Sequence, residues 1–440
     1  MLPASAGLAL RLLAQTRPGT SPALVGGALV GGLTFPASPG AGAPGREFLN
    51  VRLIKRPLAA ARAIDRHLTR RGEYRRVLFN ARTPMNYAML APVHRAMAAD
   101  PRVEFYFTAS EAPERASDIL REAGPDARLI SPRRAALLRF DAYVAADLLW
   151  LTLPRGVPRV QIFHGVAGKY AHDYDTPTRS MREWDRHFFI NERRMRNFAA
   201  SGAIDDGTAR LIGMPKVDCL VDGSLHRRAI LEGLGLDTDR PTVLYAPTWS
   251  AASSLVRLGV DFVSKLAAGP WNLIVKLHDR LRDPRPFYSG GRDWGLALDT
   301  ALRGTRARLA TGADICPYLV AADVMITDHS SAGFEYLLLD RPLVRIHVED
   351  LIASSNTNPE YVDLLRAAST SAADAAEALH AVECSLNDPG RLSATRTAVA
   401  RDLFYRPGTA TLRAARELYS LMELDCPLTE TRSAESAVPA

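Results

Sequence analysis

Residues 323–342 read DVMITDHSSAGFEYLLLDRP. Val324–Thr327 is a short apolar run, and Ala332–Leu339 continues at helical spacing. The segment therefore predicts a strand that ends at Thr327-Asp328 and feeds directly into a helix. Ser330 and Ser331 are the residue type that caps such a helix, and the first N–H groups of a helix lack partners inside it, so this end is a ready anion site. Glu335 falls about one turn in. On the ligand side its carboxylate would accept ribose hydroxyls; the plainer alternative is that the serines and nearby acidic groups only cap the helix.

The same strand-and-helix unit recurs on both sides. Downstream lies the strand Leu343–His347, and upstream lie Thr242–Tyr245 and Leu273–Leu277, with helices over Leu255–Ala268 and Ile315–Ala322. Nearer the N-terminus, strand-like runs fall at Val77–Phe79, Val103–Phe107, Ala127–Ile130, Tyr143–Ala145, Val160–Phe163, His187–Ile190 and Leu211–Ile212. Helical stretches at Met85–Ala99, Pro132–Phe140, Glu192–Ser201 and Cys219–Leu234 separate several of them, and Ala372–Leu386, Leu392–Leu403 and Thr411–Leu424 close the chain. Alternation of this kind predicts parallel sheets covered on both faces. The pattern restarts after the polar loop Asp237–Arg240. The expected architecture is α/β and GT-B-like, two doubly wound Rossmann-type domains facing a cleft, with ligands at the carboxyl ends of the strands. The expected division is a disordered leader (1–46), an N-terminal acceptor-side domain (47–237), a C-terminal nucleotide-donor domain (238–426) and a flexible tail (427–440).

Composition narrows the function. The chain has 440 residues, 47% hydrophobic and 23% charged, enough for a sizeable core. Cys219, Cys316, Cys384 and Cys426 form no CxxC pair, which argues against a zinc ribbon or disulfide scaffold and fits a reducing cytoplasm. Fifty-five Lys and Arg against 48 Asp and Glu give a net charge of +7. That favours an anionic partner, a phosphate-bearing substrate or an acidic membrane face. Nucleic acid is not expected, since no helix-turn-helix, zinc-finger or RRM signature is present. No span suits a membrane helix; the nearest, Ala23–Phe35, is short and carries four glycines. The Ala/Gly/Pro/Ser-rich start reads as a flexible leader or an over-extended start, with a secretory signal's apolar segment as the alternative. A basic helix over Val51–Arg71 either docks on an anionic membrane or packs with its charges in water. Asp173 and Asp175 resemble half of a metal-binding D-x-D pair but sit in a Tyr/Pro-rich loop, so neither metal nor cofactor is expected.

Five further blocks accompany the opening stretch in a fixed order: Phe163-His164-Gly165, Gly213-Met214-Pro215-Lys216-Val217-Asp218, Tyr245-Ala246-Pro247-Thr248-Trp249, Lys276-Leu277-His278 and Asp314–Ala322. Together they resemble the CDP-glycerol glycerophosphotransferase family, the teichoic-acid polymerase and primase type, from about Gln161 to the C-terminus. The differences include His329 where a Tyr is usual and Lys216 where an Arg is usual. The resemblance implies attack of an acceptor hydroxyl on the β-phosphorus of CDP-glycerol, with release of CMP and no cofactor. The acceptor it implies is lipid-linked or a saccharide, and the setting is cell-wall or capsule polymer synthesis.

Within that reaction an imidazole suits removal of the alcohol's proton. His164 follows a first-domain strand and is the expected general base. His278 ends a second-domain strand, with Lys276 two residues earlier on the same face, and is expected to stabilise charge on the leaving CMP. Ser330, Ser331, Glu335 and Lys276 are the expected donor-binding residues. Gly408 and Thr409, before the last helix, offer a second anion site or a plain cap. Trp249 stacks on a base or packs in the core. Two rival readings are a nucleotide-sugar glycosyltransferase or epimerase of the same architecture, and a non-catalytic polymer- or membrane-binding protein.

Overall fold

The apolar runs pair as strands, every pair parallel. The computed structural model describes residues 74–125, 127–166, 179–205, 207–355 and 357–429, all within one compact unit. The expected leader, the helix Val51–Arg71, the Asp173/Asp175 loop and the tail beyond residue 429 lie outside the described residues.

Among the described residues the first sheet holds β1 (Arg75–Asn80), β2 (Val103–Thr108), β3 (Arg128–Leu129), β4 (Ala142–Ala146), β5 (Arg159–Ile162), β6 (Arg186–Phe189) and β7 (Ala209–Leu211), in the order 3-2-1-4-5-6-7. The second holds β8 (Thr242–Tyr245), β9 (Asn272–Val275), β10 (Ala307–Leu309), β11 (Val324–Thr327), β12 (Leu343–Ile346) and β13 (Thr370–Ala372), in the order 10-9-8-11-12-13. Strands β4, β8, β9, β11 and β12 are buried along their whole length. Helices cover both faces, which is why these strands read as unbroken apolar runs.

In each sheet the order reverses beside its first strand, between β1 and β4 and between β8 and β11. Crevices at such reversals, at the carboxyl ends of the strands, are where doubly wound sheets bind ligands. One hydrophobic core joins the halves, running from the first sheet through Met214, Val217 and Leu220 to Ile315, Leu319 and Ala246. The architecture is GT-B-like, as the strand pattern predicts.

Two local expectations need correction. The predicted helix Cys219–Leu234 is a 3-10 turn, Pro215–Leu220, followed by a helix only from Arg227 to Gly233. Asp222 accepts the Ser224 N–H at 2.8 Å, and Gly223 adopts φ +77°, so an Asx turn interrupts the helix. At the other end, helix Ala410–Leu421 leaves the second sheet and packs on helix Pro84–Met97 of the first. Tyr419 bonds Asp100 at 3.0 Å and Arg210 bonds Glu417 at 3.0 Å. Part of the 238–426 segment thus sits with the first sheet. The crossing explains Gly213: its φ is +86°, and a Cβ there would lie 2.4 Å from the Tyr405 carbonyl oxygen.

Candidate active site

The Thr and Asp of the 323–342 stretch face the protein. Thr327 Oγ1 donates to the Ala246 carbonyl at 2.7 Å. The Asp328 carboxylate accepts the N–H groups of Thr248 (2.8 Å) and Ser254 (3.0 Å) and the Ser254 hydroxyl (2.9 Å), all buried. These bonds bolt the Tyr245–Trp249 loop to the end of β11, so the two motifs form one wall at the β8/β11 reversal. Ser330 is the N-cap, its Oγ accepting the Ala332 N–H at 3.3 Å, and Ser331 opens the six-residue helix Ser331–Tyr336.

From that wall Ser330, Ser331 and Glu335 border a cavity of about 340 Å³, within the usual range for ligand sites. Lys276 and His278, at the end of β9, border it too. Lys276 donates to the Leu277 carbonyl at 3.0 Å, and burial holds its ammonium below the ordinary lysine value. His278 Nδ1 accepts the Arg280 N–H at 3.1 Å and caps the turn Asp279–Arg282. A nitrogen that accepts carries no proton, so the neutral ring holds its proton on Nε2.

The first sheet supplies the opposite wall. Asp147 follows β4 at φ +62°, its N–H donating to the Ile162 carbonyl of β5 at 2.7 Å. Its Oδ1 lies 2.6 Å from His164 Nδ1, and its Oδ2 accepts from Asn86 at 3.3 Å. Burial alone would raise this carboxyl; the neighbouring His164 and Arg82 outweigh it and hold it below the ordinary value. With Nδ1–H donated to Asp147, the neutral His164 ring keeps its lone pair on Nε2. His164 is half exposed and borders the same cavity as His278. Below it, Arg194 lies 3.8 Å over the Phe163 ring and donates to the Gly165 carbonyl at 3.0 Å, holding the loop that carries His164.

Glu335 differs from the open, ribose-facing carboxylate expected. Both its oxygens accept from Lys216 Nζ, at 2.9 and 2.7 Å, and both side chains are under 5% exposed. Burial alone would lower the Lys216 ammonium, but the Glu335 charge overrides it and holds the group above the ordinary value. The pair ties the Ser331 helix of the second sheet to the turn Pro215–Leu220.

With this geometry in place, comparison with known proteins decides the relationship. Residues 64–416 match the model of the family described as CDP-Glycerol:Poly(glycerophosphate) glycerophosphotransferase. The chain belongs to this family. The Bacillus spizizenii strain W23 teichoic acid poly(glycerol phosphate) polymerase is 24% identical over 227 residues, 46% of this chain and 54% of that protein, so the match spans about half the length of its relative. A variant of the wall teichoic acid polymerase TagF shares the fold with a TM-score of 0.62 and 17% identity, over 85% of this chain and 97% of that one. A putative UDP-N-acetylglucosamine 2-epimerase from Listeria monocytogenes shares it more loosely, with a TM-score of 0.51 and 16% identity over 80% and 98% of the two chains.

For this glycerophosphotransferase family member, the expected anion site at Gly408 and Thr409 also needs correction. The N–H groups of Gly408, Ala410 and Thr411 all go to the Asp218 carboxylate, at 2.7, 3.1 and 2.7 Å. The anion at that helix start is the protein's own, and Gly408 and Thr409 border a separate cavity of about 360 Å³. Asp218→Ala is expected to cost about 1–3 kcal/mol and to speed hydrogen exchange across Ala410–Leu421. An unchanged melting temperature and exchange pattern would show that those amides find another acceptor. Trp249 is half-buried against the second-sheet core and borders the active cavity as well. Among the described residues, no group of three or more His, Cys, Asp or Glu is placed to hold a metal ion, and no helix is long and apolar enough to cross a membrane.

Sequence reasoning missed Asp147 and Arg194. The signal for the first was an Asp that closes a wholly apolar strand, AYVAA at 142–146. Arg194, on the exposed-looking face of a charged helix, gave none.

Proposed function

We propose that this chain transfers glycerol phosphate, or a related polyol phosphate, from CDP-glycerol to a hydroxyl of a lipid-linked or saccharide acceptor, releasing CMP, on the cytoplasmic side of a membrane it touches peripherally. Family membership supports the donor. The observation that carries the mechanism is the opposite polarity of the two imidazoles on the walls of one cavity: His164 offers a lone pair at Nε2, His278 a proton at Nε2.

The acceptor hydroxyl gives its proton to His164 Nε2 while its oxygen attacks the β-phosphorus. The bond from that phosphorus to the oxygen of the CMP phosphate breaks. Charge gathers on CMP, where the His278 Nε2–H, the Lys276 ammonium and the start of the Ser331 helix face it. Asp147 keeps His164 in the accepting tautomer and stabilises the imidazolium that forms. Positioning and charge stabilisation suffice for phosphoryl transfer of this kind.

The test is incubation of the purified protein with CDP-glycerol and a panel of sugar nucleotides, with nucleotide products separated by chromatography. CMP should appear from CDP-glycerol and no UDP from the UDP-sugars. Release of UDP alone would favour the glycosyltransferase or epimerase reading. Tight nucleotide binding with no turnover would favour a binding protein.

A further inference from the structure

An aromatic and arginine stack runs from His278 to the protein surface. Trp249, its ring 6.1 Å from that of His278, meets Tyr288 edge-on at 5.5 Å and Phe287 at 6.0 Å. The Arg280 guanidinium lies 4.1 Å from the Trp249 ring centre and 4.9 Å from that of Tyr288, and the Arg285 guanidinium lies 4.3 Å from Tyr288. Trp249 and Arg280 border the active cavity, whereas Phe287 is 74% exposed, more than any other large apolar side chain among the described residues.

The exposed ring is held in place. Ser289, fully buried, donates to the Asp283 carbonyl at 2.7 Å and accepts from the Trp294 indole through its own carbonyl at 2.9 Å. Those bonds pin the short helix Pro286–Ser289 that presents Phe287. Four arginines and two aspartates fall between residues 279 and 292. The Asp283 carboxyl is held low by Arg285 hydrogen bonds and, to a smaller degree, by Arg115 of the first sheet's half. The stack therefore leads from the cavity lining at Trp249 and Arg280 out to solvent at Phe287.

A fixed aromatic ring with no core to fill suits a ligand. A single base would need one ring; three rings with two guanidiniums against them suit a longer, repeating anion. A polyol-phosphate chain has that character, with phosphates for the guanidiniums and C–H faces for the rings. Guanidiniums already pinned on rings, and in Arg285 also by Nε and Nη2 bonds to the Asp283 carboxylate, lose little freedom when their remaining N–H groups bind phosphate.

We infer that Trp249, Arg280, Tyr288, Arg285 and Phe287 form an extended subsite for a polyol-phosphate chain, holding units of the acceptor or product beyond the one that reacts. The inference rests on the transferase reading for its ligand. The experiment compares the wild type with an R285A/F287A double variant, using chemically made glycerol-phosphate oligomers of two and ten units. The readouts are CMP release, anisotropy of fluorescently labelled ten-unit oligomer, and the thermal midpoint as a folding check.

The wild type should favour the ten-unit acceptor about tenfold in kcat/KM. The variant should lose that preference through KM at an unchanged thermal midpoint. No length preference in the wild type, or a variant that keeps it, overturns the subsite. If the wild type releases no CMP with any acceptor, the transferase reading fails. The subsite is then decided by anisotropy: oligomer binding lost in the variant supports it, and equal or absent binding overturns it. Vesicles of phosphatidylglycerol that capture the wild type but not the variant, with equal oligomer binding by both, would assign the patch to membrane instead and overturn it.

Discussion

His164→Ala is expected to lower CMP release from CDP-glycerol by about a hundred- to ten-thousand-fold while leaving the fold intact. The ring is half exposed, so truncation removes little packing. What it removes is the only imidazole lone pair that the hydrogen bonds direct into the cavity from the first sheet's side among the described residues. A proton must leave the acceptor oxygen as it bonds to phosphorus, and without a positioned base it goes to water. Because His164 lies on the wall opposite the serine pair, the loss should fall on kcat more than on KM for CDP-glycerol. Asp147→Asn should follow the same pattern, with a loss of up to about ten-thousand-fold. The amide can present its NH2 to Nδ1, which leaves the ring proton on Nε2, and it removes the charge that steadies the imidazolium. Steady-state kinetics with a fixed acceptor measures both. Near-normal turnover in His164→Ala would leave the proposed base without a role.

The sheets were legible because central strands are buried on both faces and so carry unbroken apolar runs such as TVLY (242–245) and VMIT (324–327). Strands β10 (ARL) and β13 (TSA) were not. Each is three residues long at a sheet edge, where pairing with a formed neighbour, and not its own composition, makes it a strand. The same logic holds at the site. His164, His278, Lys276 and the serine pair follow strand ends, and strand ends in doubly wound sheets face the ligand, so local pattern placed them at one cavity. Contacts between distant segments had no local signature. Asp147 meets His164 because β4 and β5 are neighbours, Asp218 caps a helix 190 residues away, and Lys216 finds Glu335 across 119 residues. A carboxylate read from sequence as an acceptor of ribose hydroxyls has both its oxygens taken by a lysine that only the packing of the two halves brings near.

That buried pair sets the second large effect. Lys216→Met should cost about 3–5 kcal/mol of stability, because it strands the Glu335 carboxylate in a site under 5% exposed. A K216M/E335L double variant should recover most of the loss, since two apolar side chains of similar volume leave no uncompensated charge. Recovery of stability should not restore function: the pair fixes the Ser331 helix against the turn Pro215–Leu220, so the double variant should still bind CDP-glycerol weakly. The pH dependence has a definite sign. Lys216 is held above the ordinary lysine value of 10.5, so its contribution is complete below that pH and drains away as the pH climbs through the raised value. The gap between wild type and Lys216→Met should therefore be flat from neutral pH to about 10 and narrow above it. Urea midpoints at matched slopes, with calorimetric titration of CDP-glycerol, read both properties. If Lys216→Met unfolds at the wild-type midpoint, water reaches Glu335 and the pair is no clamp. If the double variant binds donor as well as the wild type, the helix is positioned by its own core contacts, and the two charges serve neither lobe.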